Sequence, residues 1–423
     1  MQYFSIMLLL TVIFSFITLI KFNTAIKPNI LFSILWLFGS YIVNSNFVGL
    51  HELSNNTNIL MLITLSMFNI VYIIFSKYKI KKYHLQELKE IVNLNNHWGK
   101  ILLANILLIL ITLPYFLKMV KIFLTESFYN VRIAAYVYNG AYEILMSKVI
   151  FILMFSLFNL LLILTALKIV LGDMDYNLFY LMVFDTIYFT IITGSRNFLA
   201  KFFVFLFLSV LFSNTHLIKK RFIMPRFIIL GLIVLFILDR AIKARSLASL
   251  SPLENLIIYQ FGGISYFYHI TQFKDFLELN QVRLYGLGTF AWIISPFIYI
   301  LSNLNIMPNI TAEAIIGEVT SNGIYISDRF NFNALTTALY PMWRDFGTLG
   351  IFVGMSVFGF IVAFFENSFN KKRNLQTLLL FFSFYIAVFE STQLYDLLYL
   401  RFSMQIIWIF ILFGSKRINI NLK

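Results

Sequence analysis

The sequence predicts an all-α protein, a polytopic membrane helical bundle of about 13 transmembrane helices (about 11–14 by residue count) with extracytoplasmic loops. Three observations lead there. The chain of 423 residues is 60% hydrophobic and only 12% charged, against about 25% charged in soluble domains. Its mean hydropathy is +0.83. Its apolar runs are continuous, where a membrane β-barrel would alternate apolar and polar residues, so the spans are helices.

The elements follow from those runs. Candidate spans fall at 3–20, 30–48, 58–76, 101–117, 149–167, 176–193, 198–215, 227–238, 255–270, 287–303, 347–365, 376–390 and 398–414. The first run has no basic residue before it and Lys21 after it, the reverse of a cleaved signal peptide, so it reads as a span. The run at 227–238 is short unless it extends past Pro225. The run at 255–270 carries Gln260, Gly262, Gly263, Ser265 and His269, and reads either as a crossing or as a re-entrant or broken helix. No internal repeat or soluble domain interrupts the pattern, so residues 1–423 read as one multi-pass membrane domain. Within it, 304–346 is the larger extracytoplasmic loop.

Net charge +14 fits basic cytoplasmic loops and gives no reason to invoke nucleic acid. With the N-terminus outside and the C-terminus cytoplasmic, 21 of the 33 basic residues fall inside, among them Lys371, Lys372 and Arg373. This orientation also puts 271–286 inside, with Lys274 and Arg283, and 304–346 outside. Seven of the twelve outside basics are arginines: Arg132, Arg196, Arg240, Arg245, Arg329, Arg344 and Arg401. Lysine satisfies the orientation rule equally well. An arginine bias therefore points either to binding of phosphate or carboxylate by the planar guanidinium, or to salt bridges with outside carboxylates.

Individual residues sharpen this. Arg196 lies in Thr193-Gly194-Ser195-Arg196-Asn197, a tight turn between two apolar runs. Asp185 lies within the preceding run and is expected to face the bundle interior, either as a protonated acid bonded to a Tyr or Thr or as a catalytic group. Arg344 and Asp345 stand at the mouth of the span 347–365, beside Gly347, Gly350, Gly354 and Gly359. Such a pair reads as an interfacial anchor or as machinery for a polar substrate. No cysteine occurs, and the five histidines form no metal-ligand pair at helical spacing. No P-loop, dinucleotide fingerprint or G-x-S-x-G is present. No metal and no cofactor is expected.

Two stretches resemble the bacterial oligosaccharide repeat unit polymerases of the Wzy type, also called O-antigen polymerases. One is Gly194-Ser195-Arg196, similar to that family's turn after a central span. The other is Asn333-Ala334-Leu335-Thr336 with Tyr340, Asp345-Phe346-Gly347 and Gly350, similar to its Asn-x-x-Thr segment and Asp-Phe-Gly-x-x-Gly helix start. Tyr285-Gly286, and Gly262 with Ser265, fit the same order, and the resemblance covers roughly 176 to 366. Leu335 departs from the aromatic residue common at its position.

The resemblance implies a multi-pass enzyme of the bacterial plasma (inner) membrane, active on its outer face. It would transfer a growing polysaccharide from undecaprenyl pyrophosphate to a new lipid-linked repeat unit. The implied partners are the lipid-linked oligosaccharide, membrane lipid, and a chain-length regulator and flippase of the same pathway. In that chemistry Arg196 and Arg344 would stabilise the leaving pyrophosphate, with Arg240, Arg245, Arg329 and Asn333 as further binding residues. Asp345 is the first candidate for the base, followed by Glu318 and Asp328, and Asp345 has a purely structural alternative. Two rivals stand beside this reading: an O-antigen ligase-like transferase of similar architecture, and a flippase or secondary transporter of lipid-linked sugar.

Overall fold

A computed structural model of the chain describes all residues except 1, 24–26, 47–48, 78–84, 127–129, 132–144, 195–196, 214–251, 273–281, 321–322, 328–329, 333–335 and 415–423. The described residues form α1 (Gln2–Phe22), α2 (Pro28–Asn44), α3 (Asn55–Phe75), α4 (Leu85–Ile91), α5 (Trp98–Thr125), α6 (Leu145–Leu171), α7 (Tyr176–Thr193), α8 (Asn197–Ser213), α9 (Pro252–Gln272), α10 (Ala291–Asn303) and α11 (Ala312–Thr320). A hairpin follows, β1 (Ile324–Ser327) and β2 (Phe330–Phe332). The chain then makes α12 (Leu339–Phe346), α13 (Thr348–Lys372), α14 (Leu375–Glu390), a 3-10 turn (Asp396–Leu398) and α15 (Leu400–Phe413).

The protein is a multi-pass, all-α membrane bundle. Six of these helices are long and apolar enough to cross a membrane: α1, α3, α5, α6, α7 and α13. Five shorter apolar helices accompany them, lying within α2, α8, α10, α14 and α15. The expected run at 227–238 lies outside the described residues.

The chain divides into two compact units. Met1–Lys81, Asn214–Asn370 and Ser383–Tyr399 make the first. In it, α1, α2 and α3 pack through Phe32, stacked on Phe68 with centroids 3.9 Å apart. A polar thread crosses the same three helices: Asn29 Nδ2 donates to Thr18 Oγ1 at 2.7 Å and Asn69 Nδ2 to Ser33 Oγ at 2.9 Å. α13 joins them where Gly359 meets the Phe68 carbonyl; a Cβ there would lie 2.6 Å from that oxygen. About 27 Å along α13 from Thr348, at 1.5 Å per residue, Glu366 is buried with Lys27. Glu366 accepts from Lys27 Nζ at 2.7 Å, from the Tyr72 hydroxyl at 2.5 Å and from Ser76 Oγ at 3.1 Å. A buried ion pair is tolerable when its remaining hydrogen-bonding capacity is filled in this way.

Lys82–Ser213, Lys371–Phe382 and Leu400–Lys423 make the second unit. Its hub is α6, which packs on α4, α5, α7, α8 and α15. Asn159 Nδ2 of α6 donates to Gln405 Oε1 at 2.5 Å, and the indole of Trp408 donates to Leu153 O at 3.0 Å. The Asp175 carboxylate caps α7 by accepting from the amides of Asn177 and Leu178. Gly194 ends α7 at φ 60°, the left-handed conformation that glycine adopts without cost.

One expectation fails in the first unit. Counting 255–270 and 287–303 as two crossings places 271–286 and 304–346 on opposite sides. Instead, Leu284 N donates to Arg344 O at 2.9 Å, and Gly286 N donates to Asp345 Oδ1 at 2.9 Å. Residues 284–286 and 344–345 share one side. The physical reason lies in the helix between them. α10 has 13 residues, about 20 Å of helix against a hydrocarbon core of about 30 Å. α9, which precedes both, is continuous despite its glycines; its Ser265 Oγ reaches Ile326 O of the hairpin at 3.5 Å, and its His269 Nε2 meets His51 Nδ1 of the α2–α3 connection at 2.9 Å. Arg283, counted among the cytoplasmic basics, therefore belongs on the same side as Arg344.

The larger loop is also more structured than its polarity suggests. It folds into α11, the antiparallel hairpin with Ile324 opposite Phe332, and α12. Leu50 bridges to Ser327, which ties the α2–α3 connection to β1.

Candidate functional site

The best-organised polar site among the described residues of the first unit is the α12–α13 junction. Sequence makes the junction abrupt. Gly347, at φ 64°, ends α12 and lets α13 start at the next residue. Gly350 then lies so close to α12 that a Cβ would fall 2.0 Å from Met342 O, and a Cβ on Gly354 would fall 2.6 Å from Met342 Cγ. The first glycine of Asp-Phe-Gly-x-x-Gly is thus explained by its positive φ and the second by close packing.

Asp345, wholly buried, projects from α12 onto the turn that precedes α10. Its Oδ1 accepts from Gly286 N and Gly288 N, each at 2.9 Å. Its Oδ2 accepts from Thr289 N at 2.8 Å and Thr289 Oγ1 at 2.7 Å. Four donors on two oxygens satisfy an ionised carboxylate without a cation. Gly288 admits this approach: a Cβ there would lie 2.4 Å from Pro341 O. Tyr395 closes the far side by donating to Thr289 O at 3.2 Å.

Arg344 is equally buried. Its Nε and Nη2 donate to Val282 O at 3.2 and 2.8 Å, and its Nη1 donates to the Tyr340 hydroxyl at 2.9 Å. The base expected at Asp345 and the pyrophosphate ligand expected at Arg344 thus have their polar atoms turned into the protein. Asp345 takes its structural alternative, through backbone amides and Thr289 rather than through Arg344.

Among the described residues the exposed cation at this junction is Arg283, which the sequence placed on the face opposite Arg344. Its Nη1 donates to Trp343 O at 3.1 Å and its guanidinium lies over the Trp343 ring, 5.3 Å from the centroid. Tyr285, 76% exposed, stands beside it and meets Phe346 edge-on at 6.1 Å. An exposed arginine with an aromatic surface is suited to phosphate and to sugar rings.

Polar groups continue beneath. Gln260 Nε2 donates to Phe389 O at 3.2 Å and Thr392 Oγ1 at 3.0 Å. Trp36 Nε1 donates to Ser391 Oγ at 3.1 Å, while Ala338 N donates to Ser391 O at 3.0 Å. Glu390 and Asp396 are buried in this segment. The polar run from Glu390 to Asp396, set between two apolar helices, was the signal for it.

Of the other expected site residues, Glu318 is exposed on α11. Arg196, Arg240, Arg245, Arg329, Asp328 and Asn333 lie outside the described residues. Among the described residues, no three His, Asp or Glu side chains converge as metal ligands. Comparison with protein-family models, with curated proteins and with solved structures gives no match.

Proposed function

We propose that this protein polymerises undecaprenyl-pyrophosphate-linked oligosaccharide repeat units into a bacterial surface polysaccharide, at the outer face of the plasma membrane. The observation that carries the reading is convergence. Tyr285-Gly286 and Asp345-Phe346-Gly347 with Gly350 are separate in sequence, yet the Gly286 amide bonds Asp345 and Gly350 packs against α12. Gly262 lies against Ile326 and Phe332 of the hairpin in the same unit. Motifs distant in sequence need not meet; Gly286 and Asp345 do.

In this reading the roles differ from those the resemblance implies. Asp345 and Arg344 are positioning residues that lock the 282–289 turn onto α12. Arg283, exposed on that lock, takes the pyrophosphate role first given to Arg344. Tyr285 and Trp343 offer aromatic faces to the glycan. With Asp345 saturated, Glu318 and Asp328 carry the base role in this reading. Catalysis then rests on guanidinium groups meeting charge as it develops on the leaving pyrophosphate.

The test is gene deletion followed by sizing of the surface glycan. A ladder that collapses to one repeat unit supports polymerisation. Loss of even the single unit points to a flippase. Full-length chains accumulating without transfer to their final acceptor point to a ligase.

A further inference from the structure

Two of the buried aspartates, Asp345 and Asp185, live in opposite surroundings. Asp345 receives four donors. Asp185, 2% exposed within α7, receives one: Asn105 Nδ2 of α5 donates to its Oδ2 at 2.7 Å. Its Oδ1 is buried and takes no hydrogen bond, and the carboxamide oxygen of Asn105 is in the same condition. No charged group among the described residues pairs with Asp185, and Lys100 near the start of α5 is exposed. Lys168 of α6 pairs with Asp173 at 3.3 Å, and Lys201 of α8 lies over the Phe155 ring at 5.8 Å. Lys118 and Lys121 stand more than three turns beyond Asn105 on α5. The nearest polar rung on these two helices is self-contained: the Tyr188 hydroxyl meets Thr112 Oγ1 at 2.9 Å and Ile109 O at 3.2 Å.

An ionised carboxylate in a membrane span, held by a single neutral donor, is a costly arrangement. Two buried acceptors on one bonded pair are what a single added proton resolves. With a proton on Asp185 Oδ1, that oxygen becomes a donor and Asn105 Oδ1 is the acceptor it lacks. Acid and amide then close a ring through two hydrogen bonds. A metal cation asks for more, since hard cations take about six oxygens, and this pair leaves two open. We infer that Asp185 and Asn105 form a proton-binding site between α5 and α7, taking one proton from water as a new O–H bond that removes the carboxylate charge. The site lies in the second unit and is independent of the function proposed for the first.

Infrared difference spectroscopy on the full-length protein in lipid nanodiscs, with isotopically labelled aspartate, tests it. The expected result is one protonated-carboxyl stretch per molecule at neutral pH. It shifts in heavy water and is absent from Asp185→Asn, whose amide can pair with Asn105 as the acid does. Asn105→Ala should move the band to higher frequency by removing its partner. Should Asp185→Asn not fold, the labelled wild type and Asn105→Ala report the same band. A spectrum in which the labelled aspartates contribute only ionised-carboxylate bands overturns the inference. So does sodium-dependent thermal stabilisation of the wild type that Asp185→Asn lacks, which would make the ligand a metal cation.

Discussion

Gly288 N lies 2.9 Å from Asp345 Oδ1, and the glycine is there because a Cβ would sit 2.4 Å from Pro341 O. Carboxylate and glycine therefore act as one device: the missing side chain lets the backbone amide reach the acid. Asp345→Asn replaces an acceptor oxygen with a donor facing N–H groups. Each charge-assisted bond lost costs about 1.5–3 kcal/mol. The expected outcome is a lowered melting temperature and reduced folded yield, measured on purified protein by thermal unfolding. Normal stability with abolished chain elongation would instead make Asp345 a catalytic base.

The helix start should be equally intolerant of bulk. Gly350→Ala puts a Cβ 2.0 Å from Met342 O, whereas Gly99 on α5 has nothing within 4 Å of a built Cβ. Backbone must move in the first case, at about 1–3 kcal/mol or more. Thermal unfolding of Gly350→Ala should show a clear loss, and Gly99→Ala little or none.

The Lys27–Glu366 pair makes a third test. Lys27→Ala leaves Glu366 buried with only the Tyr72 and Ser76 hydroxyls, and loss of one partner of a buried pair costs about 3–5 kcal/mol. Lys27→Met combined with Glu366→Gln removes both charges and should be milder than the single change. A double variant less stable than Lys27→Ala by thermal unfolding would contradict this account.

These residues show which parts of the molecule were legible in the sequence. Continuous apolar runs gave the class, and the glycines after Asp345 gave an abrupt helix start. The role of Asp345 was not legible, because its four donors come from residues 286–289, more than fifty positions upstream, and nothing local signals them. Arg283 was placed opposite Arg344 because the run at 287–303 was read as a crossing, whereas α10 is short and Leu284 and Gly286 bond to Arg344 and Asp345. The polar thread of Asn29, Ser33 and Asn69 was equally hidden, since Asn29 and Ser33 on α2 meet Asn69 of α3 only once the helices pack.

Topology can be checked directly, because the native chain has no cysteine. Arg283→Cys and Glu318→Cys are exposed positions of the first unit, while Lys371→Cys is exposed near the far end of α13. An impermeant thiol reagent on intact, outer-membrane-permeabilised cells should label 283 and 318 alike and spare 371 until lysis. Opposite labelling of 283 and 318 would restore the crossing by α10 and refute the shared side.

The last prediction separates the geometry of Arg283 from its charge. Its guanidinium is anchored through one nitrogen to Trp343 O and lies on the Trp343 ring, which leaves further donors for an anion. Arg283→Lys keeps the charge but loses the flat stack and the fork. Losing one charge-assisted bond in the transition state, about 1.5–3 kcal/mol, slows the step roughly tenfold to a hundredfold. The surface glycan should shorten in Arg283→Lys and collapse towards single units in Arg283→Ala, at matched protein levels. Neither variant should lower the melting temperature as Asp345→Asn does, because the lock of Asp345 and Arg344 onto the 282–289 turn is left in place. Wild-type chain lengths in both variants would remove Arg283 from the pyrophosphate role and leave Arg196 as its remaining candidate.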